Sequence, residues 1–347
     1  MTKIHTRGEN IRRFILNSVE RHPSDISRVT ADHFKITRQA VNKHLQRLTA
    51  EHALEESGNT RSRKYKICPL SAWSQTYSIK PGLAEDLVWS SDIKLALGQL
   101  PDNVLDLWHY GFTEMFNNAL DHSGGTTILV QIKKTAVDAE MLIDDDGIGI
   151  FKKIQTAMNL LDERHAILEL SKGKLTTDPR NHSGEGIFFA SRMFDEYDIL
   201  SGGVHFSQPY GRDEDWIAQR TTNGDSGTSV WMKLSNHTAR TLRKIFDQYS
   251  SGDDYGFTKT VVPVRLAQYG DDKLISRSQA KRVLARIELF KVVVFDFKGV
   301  ETIGQAFADE IFRVFAAKHP EIELLAVHVN SEVRRMIERA KSGAIKE

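Results

Sequence analysis

Glu114, Asn118, Asp121 and His122 stand together in the stretch TEMFNNALDHSGG, residues 113–125. At about 100° per residue, a helix places positions i, i+4, i+7 and i+8 on one stripe. That stripe carries a carboxylate, an amide, a second carboxylate and an imidazole. The opposite stripe, Phe112, Met115, Phe116, Ala119 and Leu120, is apolar. Solvated helix faces ordinarily mix Lys and Arg among their acids. This face has neither, and its groups can accept a proton or bind a hard cation.

The elements that must position these groups can be read outward from the helix. It starts near Pro101, runs to Asp121 and stops at Gly124-Gly125. A helical segment from about Leu83 to Leu97 precedes it. TTILVQIKK and AEMLIDDDG alternate as two antiparallel strands, the second ending in DDDGIGI. About thirty residues on, NHSGEGIFFASRMFDEYDI takes Gly184 and Gly186 into a helix, and a glycine-rich helix entry suits a phosphate. GTSVWMKL, residues 227–234, reads as a Gly-Thr turn into a strand.

Taken in order, these motifs resemble the Bergerat-fold (GHKL) ATPases: DNA gyrase, heat-shock chaperones, histidine kinases and MutL. The resemblance covers roughly residues 83–235. Within the superfamily, Glu114, Asn118, Ala119 and His122, with GEGIFFASRMFDE, are most similar to the anti-sigma-factor serine kinases. The resemblance implies an α/β two-layer sandwich that binds ATP and Mg²⁺. Asn118 would hold the metal and Glu114 would be the general base. Asp145 would read the adenine amine, with Gly147 and Gly149 beneath the base and Thr228 supporting Asp145. Gly184 and Gly186 would offer N–H groups to the phosphates. Residues 151–183 would form the ATP lid, with Lys172, Lys174 and Arg180 as candidate phosphate contacts. No Gly-x-x-x-x-Gly-Lys-Ser/Thr loop occurs, which excludes the commoner P-loop class.

The first 67 residues differ in charge. They hold 14 Lys/Arg against 7 Asp/Glu, while the rest of the chain holds 33 against 39. A basic head on an acidic body points to a polyanionic partner. Three helical segments and two short strands around a Ser-Gly-Asn turn follow one another, and ITRQAVNKHLQRLTAEHALEESGNTRSRKYKI resembles the winged helix-turn-helix family. The resemblance implies double-stranded DNA as partner. Thr37, Arg38, Gln39, Asn42 and Lys43 would face the major groove, and Arg61, Arg63 and Lys64 would sit on the wing. Winged-helix readers commonly bind two half-sites, so a homodimer is one expectation. A head used only for protein contacts is the alternative.

Residues 258–347 alternate strand and helix, as in a small α/β layer domain. KVVVFDFKGVETIGQAFADEIFRVF resembles STAS domains, which include anti-sigma-factor antagonists. Their phosphorylated serine has no counterpart, because its place reads Gly304, Gln305, Ala306 and Phe307. The resemblance therefore implies a docking or sensing unit.

The expected organisation is multi-domain. It comprises a winged helix (1–67), a linker (68–82), an ATP-binding domain (83–240), a second linker (241–257) and a STAS-like domain (258–347). No apolar run approaches the roughly 18 residues of a membrane span. The opening residues lack a signal-peptide core and Cys68 stands alone, so a cytoplasmic location is expected. The lead expectation is a regulator in which Mg-ATP, slowly hydrolysed, switches DNA or partner binding. The alternatives are an anti-sigma-type serine/threonine kinase acting on a separate protein and a nucleotide-gated scaffold without turnover.

Overall fold

Ile11 and Ile15 recur at helical spacing and are both buried, which sets α1 (Arg7–Ser18) against α2 (Ile26–Phe34) and α3 (Arg38–Ala50). Lys35, in the left-handed region at φ 53°, ends α2. The Thr37 hydroxyl caps α3, accepting the Ala40 N–H at 3.2 Å. β1 (Leu54–Ser57) and β2 (Lys64–Ile67) pair antiparallel with Leu54 opposite Ile67. These elements enclose an apolar core of their own, against which Ala136 and Val137 pack from outside.

The computed structural model describes residues 7–59, 62–176, 183–208, 216–219, 227–250, 256–268 and 273–343. Among these, three sheets and helices on several faces make a mixed α/β architecture. No described helix is long and apolar enough to cross a membrane.

The stretch 68–82 carries a strand where a linker was expected. β3 (Ser71–Ser78) pairs along its whole length with β4 (Thr127–Lys134), from Ser71 opposite Lys134 to Ser78 opposite Thr127. It is an edge strand whose partly buried residues are Trp73 and Tyr77, so its polar composition hid its alternation. α4 (Glu85–Val88), a π-helical stretch (Trp89–Ile93) and α5 (Lys94–Leu97) continue one another. Lys134 seals their end by donating to the carbonyls of Leu97 (2.6 Å) and Gln99 (3.1 Å).

α6 (Asp102–His122) buries Phe112, Met115, Phe116 and Ala119, as its apolar stripe requires. These side chains cover a seven-stranded sheet of order β3-β4-β5-β9-β6-β7-β8. β5 (Asp138–Asp145) alternates strictly, with Ala139, Met141, Ile143 and Asp145 buried. α7 (Ile150–Ala157), α8 (Glu163–Lys172) and α9 (Gly186–Met193) follow. The sheet is completed by β6 (Glu196–Ser201), β7 (Val204–Ser207), β8 (Trp216–Gln219) and β9 (Thr228–Ser235).

The second expected linker, 241–257, contains α10 (Leu242–Asp247) with Ile245 buried. Phe246, Tyr249 and Phe257 pack there against Phe188 and Phe189. Three rings of this segment pack on two of α9, which a linker reading based on polar composition overlooks. β10 (Lys259–Pro263), β11 (Val292–Asp296) and β12 (Glu323–Val327) then form a parallel sheet of order β10-β11-β12. Beyond Pro263 the chain turns into a 3₁₀ segment, Val264–Ala267. α11 (Arg277–Leu284), α12 (Gln305–Asp309), α13 (Ala316–Lys318) and α14 (Ser331–Gly343) supply the helices. One contiguous apolar core runs from Val88 to Ala340, so the central and C-terminal elements pack as neighbours.

Candidate functional site

The strict alternation of β5 drives Asp145 into the layer between sheet and α6, where a carboxylate needs donors. One Asp145 oxygen accepts the Gly147 N–H at 2.9 Å. Asp145 lies opposite Thr228 in the β5–β9 register, and the Thr228 backbone also hydrogen-bonds the carboxylate. Burial pushes the Asp145 carboxyl above its usual 3.8, and these two backbone donors oppose the rise. The Thr228 hydroxyl accepts the Ile150 N–H at 3.0 Å, fixing the first turn of α7. Thr228 therefore positions the loop that follows Asp145.

The neighbouring acids have other duties. Asp146 accepts from the N–H and hydroxyl groups of both Thr126 and Thr127, at 2.6 to 3.0 Å. Those hydrogen bonds hold its carboxyl far below the ordinary carboxylate range. Asp146 thus ties the turn after α6 to the loop after β5. Asp144 points the other way and accepts from the Ser229 hydroxyl. Three consecutive aspartates divide by strand geometry into a surface contact, a buried acceptor and a loop anchor.

Glu114, Asn118, Asp145, Gly184, Gly186 and Thr228 line a single cavity of about 280 Å³. That volume sits near the lower end of small-molecule sites. Met115, Ile143, Ile154, Ile199 and Val230 give it apolar walls, and His122 lines it together with Asn118. Asp121, on the same helical stripe, is exposed and does not line the cavity. Gly147 and Gly149 shape the adjoining loop instead. A Cβ at Gly147 would lie 2.2 Å from the Ser123 carbonyl oxygen, so any side chain would push α6 and the loop apart.

In the same cavity, α9 begins against Glu114. A Cβ on Gly186 would sit 2.0 Å from Glu114 Oε2. Glycine is what allows the first turn of a helix to lie this close to the carboxylate. Gly184 closes the same corner by accepting the Leu175 N–H at 3.0 Å. Glu185, which precedes α9, has its carboxyl raised by burial and partly restored by Lys174.

Lys153 is a cavity residue that sequence reasoning did not select. It lies on α7 and donates to the His122 carbonyl at 2.7 Å. Burial lowers its ammonium pKa and Asp121 opposes that shift. Its sequence signal was its place three residues after Ile150, beside the buried Phe151 and Ile154. The lysines selected instead lie elsewhere: Lys172 and Lys174 turn toward the C-terminal elements, and neither lines the cavity. Lys172 is fully buried because Glu169 and two carbonyls satisfy it there. Arg180 and the rest of residues 177–182 lie outside the described residues.

The candidate DNA residues form a separate surface. Thr37, Arg38, Gln39, Asn42 and Lys43 are exposed on α3, opposite the buried Val41, Leu45 and Leu48. Thr37 is engaged as a helix cap, and Asn42 accepts from Ser27 at 3.1 Å. Lys64 is exposed, whereas Arg63 pairs with Glu56 at 3.4 Å. Arg61 lies outside the described residues.

The cavity thus offers a buried acceptor together with a carboxylate, an amide and a helix start. Such a site can grip a ligand with a donor-bearing ring and an anionic tail. No curated protein matches the chain. A family model for a STAS-like domain of unknown function (DUF4325) matches residues 279–334, from α11 into α14, so the C-terminal part of the chain carries a STAS-like domain.

Proposed function

We propose that this chain is an ATP-binding, DNA-binding regulator in which Mg-ATP at the central cavity switches the head's contact with DNA or a partner. The reading rests on one observation: residues from α6, β5, the α9 entry and β9, chosen by motif, line the same cavity. Asp145 accepts the exocyclic amine of adenine. The N–H groups at the start of α9 face the phosphates. The residue types suit the metal as well, since Asn118, whose amide carries a hard oxygen, lines the cavity and Gly186 leaves the room that a Cβ would fill. Asn118 would hold Mg²⁺, which when bound neutralises phosphate charge. Glu114 takes the proton from the attacking water as general base.

The basic head supplies the output. Arg38, Gln39 and Lys43 lead α3 with exposed donors, and positive charge concentrates in that part of the chain.

Purified protein incubated with γ-labelled ATP and Mg²⁺, alone and with cell extract, tests the reading. The expected product is free phosphate, lost in Glu114→Gln, with ATP still bound by that variant. Label carried onto a protein band would replace the switch with a kinase.

A further inference from the structure

Residues 169–174 approach the cavity from α8, and four of the six, Glu169, Lys172, Gly173 and Lys174, are fastened to the C-terminal elements. Lys172 Nζ donates to Glu169 at 2.7 Å and to the carbonyls of Arg282 and Ala285 at 2.8 and 2.9 Å. Those carbonyls close the end of α11, where a cation is favoured. The Thr260 hydroxyl of β10 donates to the Lys172 carbonyl at 2.7 Å. Arg286 donates to the Glu169 carboxylate at 2.9 Å and to the Gly173 carbonyl at 2.8 Å. Lys174 donates to the Leu289 carbonyl at 3.0 Å and lies over the Phe290 ring.

Two features make this more than surface packing. Arg286 holds its backbone at φ 64°, a left-handed conformation that side-chain-bearing residues seldom adopt. From that position its guanidinium reaches Glu169 and Gly173. The next two residues along the chain, Leu175 and Thr176, are themselves cavity wall, and Leu175 pairs with Gly184. A second route runs parallel to the first. Phe188 lines the cavity and packs on Phe257, which packs on Phe290.

We infer that the STAS-like domain sets the position of the 175–176 wall through Arg286, so that the domain regulates nucleotide affinity. Arg286 is a positioning residue that touches no nucleotide and acts through Glu169 and Gly173. The inference rests on the nucleotide reading above. Coupling of this kind is reciprocal: nucleotide must alter the C-terminal domain as much as the domain alters nucleotide binding.

Hydrogen exchange of the full chain with and without Mg-ATP tests this, together with Mg-ATP titration of Arg286→Ala and Arg286→Lys. In the wild type, Mg-ATP should slow exchange in both 169–176 and 282–289. Arg286→Ala should bind Mg-ATP about 5-fold or more weakly. Arg286→Lys, which keeps the charge but not both contacts, should fall between. A purely structural contact would lower the melting temperature of both variants and leave affinity untouched. If Arg286→Ala does not fold, exchange in the wild type decides. Wild-type binding with no exchange change in 282–289 overturns the coupling while sparing the nucleotide site. No binding by the wild type overturns both.

Discussion

Asp145 and Glu114 line the same cavity, and burial acts on Asp145 in a way that can be measured. Burial raises the Asp145 pKa, so its ionised form is less welcome in the folded chain than in the unfolded one. Ionised Asp145 therefore costs stability at neutral pH, and that cost fades as pH falls through its raised folded pKa. Adenine recognition needs the ionised acceptor, so ATP affinity should be lost in the same window. That window lies above the pH at which an ordinary aspartate titrates, and calorimetry across pH would locate it. Asp145→Asn should keep or raise the neutral-pH melting temperature while weakening ATP roughly tenfold or more. A lower melting temperature with unchanged ATP affinity would contradict this. Asp146 has the opposite sign. Its depressed pKa contributes stability that is present above the unfolded value and lost as pH falls toward the folded one. Gly186→Ala should drive a methyl against Glu114. An overpacked contact of this kind costs about 1–3 kcal/mol, readable by denaturant unfolding.

The helices and strands show which parts of the fold were legible in the sequence. α6 was legible because its two stripes are chemically opposite, and β4, β5 and β9 because they alternate. β3 was not, since an edge strand with only Trp73 and Tyr77 partly buried has little apolar signal. Glu114, Asn118 and Asp145, chosen by residue type and motif order, do line one cavity, so their placement together was legible. The site was illegible where direction decides: nothing in the spacing says that Lys172 turns away from the cavity and Lys153 turns toward it. On the head, α3 makes two predictions that separate. Thr37→Ala should cost about 1 kcal/mol of stability through the lost cap, read by thermal melting. Arg38→Ala and Lys43→Ala should leave melting unchanged and weaken DNA. For each lysine or arginine that contacts a phosphate, the salt dependence should fall by about one. Equal DNA binding by both variants would remove α3 as the DNA-facing element.

For the whole molecule, three units meet along one chain: a head with its own core, a central cavity, and a STAS-like domain that shares the cavity's core. The head touches the body through Ala136 and Val137 at the β4–β5 turn. Between the head and β3, Leu70 donates its N–H to the Lys134 carbonyl at 2.7 Å and so continues the β3–β4 ladder. A switch in this arrangement requires that nucleotide change DNA affinity, and the reciprocal change must appear in nucleotide affinity when DNA is added. Fluorescence anisotropy of labelled duplex DNA with and without Mg-ATP would read it, and a shift of about 5-fold or more is expected. The proposed switch depends on the identity of the ligand in the cavity. The most direct measurement is calorimetric titration of the full chain with Mg-ATP and with Mg-GTP, repeated on Asp145→Ala. The wild type should bind ATP and bind GTP little, because the guanine ring presents an acceptor where adenine presents an amine, and the variant should not bind ATP. Absence of ATP binding in the wild type, or equal binding by Asp145→Ala, would contradict this.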